Sequence, residues 1–346
     1  MSVDAHELTC RLVACRYPTN MRTFCLLSLL ASAGAFHVAP IISRERPRLT
    51  SFAAPLDVAK TAVVAKTPVA RSSVQMSVTF PTCCGIATAA CSLAFIRQAY
   101  VFSLSYGLAM AGIGAAVLAA IPGTAPAALT FHAYLVLAYG VRLFAFLFWR
   151  QVGQDAGWGA RLARLDKTPR AKRAPVVVST ALFYAMMASP LLFHLQSAPL
   201  PFPLVTTLGC VVAAVGLLIE TVADQSKSLF KIQLRASGEA DRPYTGGVWA
   251  YSRHANYLGE ILFWVGATVA GVPSVLAPGL SLLTRLLRTV SMGLGLSGIV
   301  FIMLSATKRL EKKQADSAAS VWPVLRDGEL DSYEAYVARS GKLLPF

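Results

Sequence analysis

From about Tyr100 onward the chain alternates between long apolar runs and short polar or Pro/Gly-containing breaks. The hydrocarbon core of a bilayer, ~30 Å thick, is crossed by ~20 apolar residues in a helix. Runs of about that length fall at 100–121, 129–149, 175–195, 204–224, 256–275 and 285–305. A shorter run at 84–96 reads as a seventh or partly inserted helix. The pattern predicts an all-α fold, a polytopic membrane helix bundle of about six to seven transmembrane helices, with the lipid bilayer as its surroundings.

The breaks alternate in kind. "PGTAPAA" (122–128), "QSAPLPF" (196–202) and "AGVPSVLAPG" (270–279) carry no charge. The connection from Arg150 to Arg173 carries Arg150, Arg161, Arg164, Lys167, Arg170, Lys172 and Arg173. The segment from Gln225 to Ser252 and the tail after Thr307 are also rich in charge. Basic connections gather on one side of a membrane, so these three are expected to share a face. Arg285 and Arg288 lie near the uncharged end of the last span, where they are expected to snorkel or to pair.

Composition agrees. Of 346 residues, 55% are hydrophobic and 14% charged, against about 25% charged in soluble domains. The net charge of +15 is then a property of the loops. No helix-turn-helix, zinc finger or aromatic RNA-binding motif accompanies it, so no nucleic-acid partner is expected. Cys10, Cys15, Cys25, Cys83, Cys84, Cys91 and Cys210 form no CxxC pair and stand at no zinc-ligand spacing from a His. They predict no metal site.

The N-terminus reads as targeting. Met21 begins "MRTFCLLSLLASAGAFHVAP": a start residue, Arg22, an apolar core and an A-x-A site at Ala33–Ala35, the layout of a secretory signal. Residues 1–35 are thus signal-like, with Met21 as an alternative start. Residues 36–80 are rich in Ser, Thr, Ala and Arg and poor in acids, as transit peptides are. Signal plus transit segment, with Phe36 at the junction, resembles the bipartite plastid leaders of algae with complex plastids. An algal plastid membrane is the expected location and the endoplasmic reticulum the alternative. Residues 81–346 form the membrane domain.

The concentrated polar chemistry lies on the basic face. In "LLIETVADQSKSLFK", Glu220, Asp224 and Lys227 are spaced i, i+4, i+7, within an arc of ~60° on a helix. An acid within a span faces a cavity or a partner. Lys231 and Arg235 read as interfacial charges. Next comes "YSRHANYLGEILFWVG", 251–266. Ser252 is the expected N-cap, with a helix from about Arg253. Arg253, Tyr257 and Glu260 then share a face, as do Asn256 and Glu260. His254 sits a turn from Tyr257, and Gly259 admits a close backbone or ligand. A helix N-terminus with an Arg and a nearby Lys suits an anionic group such as a phosphate. The segment 217–266 therefore suggests a nucleotide-type cofactor at the membrane edge, although neither G-x-G-x-x-G nor GxxxxGK[ST] is present. "GIGAAVLAAIPG" lies within a span and reads as small-residue helix packing.

"GGVWAYSRHANYLGEILFWVG", with "ETVADQSKSLFK" before it and "RLEKKQ" and "YEAYVARSGKLLPF" after it, resembles the membrane family with a steroid 5-alpha-reductase C-terminal-like domain. That family is related to sterol C14 and delta-7 reductases and more distantly to isoprenylcysteine carboxyl methyltransferases. The likeness runs from about Tyr106 to Phe346 and is strongest at 217–266. It implies NADPH as cofactor, with binding roles for Asp224, Lys227, Arg253, His254, Asn256, Tyr257 and Glu260, and weaker ones for Trp249 and Tyr251. It implies hydride transfer to a carbon–carbon double bond of a lipidic substrate, a sterol, isoprenoid or enone lipid. Ala255 stands where the family has Pro, which would preset the first helical turn. The reaction needs a proton donor in a low-dielectric pocket. The sequence leaves that donor open: Tyr106 and Tyr184 could serve, or could simply pack. Tyr333 and Tyr336 of the tail either cover the cofactor site or lie on a surface helix. Two other functions fit the same architecture, an S-adenosylmethionine-dependent lipid or isoprenyl methyltransferase and a non-catalytic membrane scaffold.

Overall fold

The computed structural model describes residues 78–153, 166, 168–239, 242–321 and 333–345. The expected leader and the expected transit segment up to residue 77 lie outside the described residues, as do Arg161, Arg164 and Lys167, while residues 78–80 of that segment lead into the first helix. The described chain folds into eight α-helices: α1 Phe80–Cys91, α2 Leu104–Ala120, α3 Ala127–Gly153, α4 Ala174–Ser197, α5 Pro203–Ser237, α6 Ala255–Gly271, α7 Leu282–Val321 and α8 Tyr333–Arg339. Among the described residues the only β pairing is an isolated parallel bridge between Ser252 and Gly341.

Five helices, α3 to α7, are long and apolar enough to cross a membrane, and the protein is an integral membrane protein. The first expected span divides. Residues 98–102 form a 3-10 turn, and α2 begins only at Leu104. Its 17 residues rise ~26 Å, a little short of the hydrocarbon core. The run at 84–96 becomes α1 plus a 3-10 turn at 92–95. It is a short helix that buries Cys83, Ala87, Ala90 and Cys91 in the bundle.

Local signals explain several boundaries. Thr79 caps α1 reciprocally with Thr82. Pro175 and Pro203 sit in the first turns of α4 and α5, where a missing N–H costs nothing. Helix α5 runs on past Asp224 to Ser237 because "QSKSLFKIQLRAS" holds no breaker. It ends at Gly238, whose φ of 71° suits glycine. There Gly238 N–H and Glu239 N–H reach back to the carbonyls of Arg235 and Leu234.

The tightest seam joins α5 to α6. Gly209 and Gly216 on one helix interleave with Gly259 and Gly266 on the other. A Cβ built at Gly216 would stand 2.3 Å from Phe263 N, and one at Gly259 would stand 2.5 Å from Glu220 N. Backbones this close exchange dispersion contacts along the seam. The seam also sets Glu220 directly against the turn that carries Glu260. Gly140 of α3 lies as close to Ala111 of α2, so α2 and α3 form a second close pair.

Side-chain contacts sort the loops into two ends. Arg142 to Asp224 and Arg253 to Glu311 tie α3, α5, the 246–254 segment and the end of α7 together. That end carries the basic connections. At the other end Arg288 donates to Ser197 Oγ at 2.6 Å and to the Ser274 carbonyl at 2.9 Å. Arg285 donates to the carbonyls of Val275 and Ala277. Both arginines thus pair with the uncharged loops. The same end buries His132 and His194, their Nδ1 atoms 3.2 Å apart.

Candidate functional site

The segment before α6 is shaped differently from the sequence expectation. Its N-cap is His254, not Ser252, and the helix starts at Ala255. Tyr251 to His254 form a turn instead, because Arg253 N–H donates to the Gly341 carbonyl at 2.9 Å and Gly341 N–H to that of Tyr251 at 3.0 Å. The backbone of Tyr251 and Arg253 pairs with the tail, while the His254 carbonyl already accepts from Leu258 N–H of the helix. Arg253 therefore lies outside the helical face of Tyr257 and Glu260. Ala255 takes the first helical position, the one Pro favours, and is buried against Ala223 and Trp249.

The two ends of the motif meet different surroundings. Arg253 faces the tail and α7. Its Nε and Nη2 donate to the Glu311 carboxylate at 2.9 to 3.2 Å. Its Nη1 donates to the carbonyls of Val337 and Ser340. His254 Nε2 lies 2.8 Å from Glu311 Oε1. A carboxylate oxygen only accepts, so Nε2 carries the hydrogen. The imidazole stacks on Tyr257 with ring centres 5.7 Å apart. Burial pushes the His254 pKa down, against the opposing pull of Glu311.

Glu260, two turns further on, points into the bundle. Its Oε1 accepts from Tyr106 Oη at 3.0 Å and from Tyr139 Oη at 3.2 Å. The two phenols are themselves 2.9 Å apart, and Trp264 Nε1 donates to Tyr106 Oη at 2.6 Å. Tyr184 stacks on Tyr106 at 5.1 Å, while its hydroxyl donates to the Val101 carbonyl. Tyr106 therefore meets the motif directly and Tyr184 supports it. Helices α2, α3 and α6 each supply a polar group to this apolar interior.

A second buried cluster lies beside the first. Arg142 of α3 donates to Glu220 Oε1 at 2.7 Å, to the Glu220 carbonyl at 3.0 Å and to Asp224 Oδ2 at 2.6 Å. The shared helix face expected for Glu220 and Asp224 is thus met by a cation from another helix. Glu220 Oε2 and Arg142 Nε are buried without a hydrogen bond among the described residues. Lys227, next along the face, turns to Trp249, its Nζ 4.3 Å from the ring centre. Trp249 is buried, and its indole N–H donates to the Ala223 carbonyl. Tyr251 is exposed. Asn256 is half-buried, and none of the hydrogen bonds among the described residues uses its amide.

The tail closes over the segment. Tyr336 is buried and donates to the Trp249 carbonyl at 2.8 Å, and Tyr333 is buried beside it. Burial pushes the Tyr336 hydroxyl up to about 12. These two tyrosines cover the segment 249–254; α8 is not a free surface helix.

All seven residues implied by the resemblance lie at one end of the bundle, but in three settings: Arg253 and His254 with Glu311, Asp224 with Arg142, and Glu260 with the tyrosines. Lys227, Asn256 and Tyr257 stand between these. Three further groups complete the arrangement: Arg142, Tyr139 and Glu311. Arg142 had a sequence signal, as the lone charge within an apolar run. Glu311 lies within "RLEKKQ", one of the stretches that carry the resemblance, though no role was assigned to it, and Tyr139 had no signal beyond its residue type.

A family model described as "Protein of unknown function (DUF1295)" matches residues 101–318. The match takes in α2 to α6 and the greater part of α7, including Glu311. No curated protein and no solved structure gives a significant match.

Proposed function

Because the chain belongs to the DUF1295 family, whose description assigns no activity, we propose its function from the site: a membrane-embedded, NADPH-dependent reductase of a carbon–carbon double bond in a lipid substrate. The likeness of 217–266 to steroid and sterol reductases supports this reading. The observation that carries it is the position of Glu260. One helix bears a polar rim at its N-terminus and, two turns inside, a buried carboxyl bonded to two phenols.

The residues present fit such a cofactor. Asn256 offers an amide that none of the hydrogen bonds among the described residues uses. Lys227 holds a positive charge on the face of Trp249. Tyr257 adds an aromatic face beside His254. These groups would hold a nucleotide at the rim, and the bound cofactor would supply hydride. Glu260 and Tyr106 would deal with the proton. A protonated Glu260 would donate from one oxygen while the other accepts from the phenols. The phenol–indole chain of Tyr139, Tyr106 and Trp264 would orient the carboxyl. A lipid carbonyl brought to Glu260 would be polarised by that hydrogen bond, or the adjacent carbon protonated.

Arg142 keeps this division intact. It pairs with both Glu220 and Asp224, so its single positive charge offsets one of the two anions near Glu260. The leader composition supports a plastid membrane as the location.

The test is ligand-dependent stabilisation of the purified protein in nanodiscs. NADPH is expected to raise the melting temperature more than NADH does, and S-adenosylmethionine not at all. A shift with S-adenosylmethionine alone would establish the methyltransferase instead. No shift with any of the three would favour the scaffold.

A further inference from the structure

Arg253 is the residue most readily cast as a ligand for a cofactor phosphate. Its surroundings speak against direct contact. The guanidinium has five N–H groups. Nε and Nη2 serve the Glu311 carboxylate at 2.9 to 3.2 Å, and Nη1 serves the carbonyls of Val337 and Ser340. The side chain is 4% exposed. An anion at Arg253 would have to displace both Glu311 and the tail.

Glu311 is the common partner. It reaches from α7 to two consecutive residues of the motif, with Oε1 on His254 and both oxygens on Arg253. Arg253 in turn clasps residues 337 and 340, while its backbone pairs with Gly341. Three segments distant in sequence are joined through one carboxylate: the end of α7, the turn 251–254 and the tail.

We propose that Glu311 is a positioning residue, which fixes His254 directly and, through Arg253, latches residues 333–341 as a wall of the cofactor site. Arg253 then acts on the bound cofactor through the tail and not by touching it. The wall itself is independent of the NADPH reading; only its effect on cofactor binding rests on that reading.

Hydrogen exchange of the full chain in nanodiscs, with and without NADPH, tests this. Glu311→Gln keeps size and shape but cannot form the ion pair. It is expected to raise amide exchange across 333–341 at least tenfold and to weaken NADPH binding at least tenfold. Glu311→Asp, which keeps the charge, is expected to recover most of both. Arg253→Lys keeps the positive charge but cannot fork between a carboxylate and two carbonyls, so it should match Glu311→Gln. Unchanged tail exchange in Glu311→Gln overturns the proposal. So does a released tail with NADPH affinity intact, or an Arg253→Lys protein that binds NADPH like the wild type. If Glu311→Gln disturbs exchange in α3 as well, the Arg253→Lys comparison decides. Failure of the wild type to bind NADPH would remove the reductase reading and leave the tail-exchange readout to judge the latch alone.

Discussion

Tyr106 of α2 donates to Glu260 of α6 across 3.0 Å, 154 positions apart in the chain. The bond joins the short second helix to the motif helix deep in the bundle. It also sets a buried acid among the aromatic side chains of the bundle interior.

Glu260→Gln preserves the shape of this contact and removes the exchangeable carboxyl proton. NADPH consumption in nanodiscs charged with total lipid from the source membrane is expected to fall by about 10²- to 10⁴-fold, the usual contribution of a positioned acid. The stabilisation by NADPH should persist. Retained turnover would remove Glu260 from the chemistry.

Arg142→Met leaves Glu220 and Asp224 without their shared cation. Breaking a buried pair on one side costs about 3–5 kcal/mol. The variant should unfold at correspondingly lower denaturant in mixed micelles. The triple variant Arg142→Met, Glu220→Gln, Asp224→Asn should recover much of the loss, because no buried charge then lacks a partner. Equal instability of the two would show that packing, not charge, holds α3 to α5.

Two glycines give opposite expectations. Gly216→Ala places a methyl group 2.3 Å from Phe263 N and should lower the yield of folded protein sharply. Gly293 of α7 has open space around it. There alanine should stabilise by about 0.5–1 kcal/mol, the entropy of a helical glycine. Parallel thermal melts of the two variants check both.

Acid should loosen the latch. Burial holds the His254 pKa below its usual value of about 6.5, so the folded state binds fewer protons than the unfolded state. The contribution is fully present above pH ~6.5 and is lost as pH falls through and below it. Wild-type melting temperature should therefore drop more steeply between pH 7 and pH 5 than that of His254→Gln. Parallel curves would mean that His254 is protonated in both states or in neither.

The architecture was legible because apolar length and alternating loop charge are one-dimensional signals. The runs at 129–149, 175–195, 204–224, 256–275 and 285–305 all became helices long enough to cross. Where Tyr100 to Ser103 leave the helix was not legible, since a 3-10 turn carries the same residues as a helix start. The polar residues of 220–260 were found as a group, but not their division. Nothing in "SRHANYLGE" says that Arg253 turns toward Val337 while Glu260 turns toward Tyr106. That depends on pairing Gly341 with Tyr251, a contact across 90 positions. Tyr139 was invisible for the opposite reason: a phenol in an apolar span looks like packing until a carboxylate is found beside it.

The glycine seam between α5 and α6 has a consequence for insertions and deletions. Each residue added to a helix rotates everything beyond it by ~100°. Gly216 and Gly259 fix the phase of both helices at Glu220, so one extra residue between Gly209 and Gly216 would bring a side chain into the seam. Two such residues would turn the acids of α5 away from Arg142 altogether. That constraint ends with α5 at Ser237. Length variation among relatives is therefore excluded from 209–224, however apolar the substitute residues are.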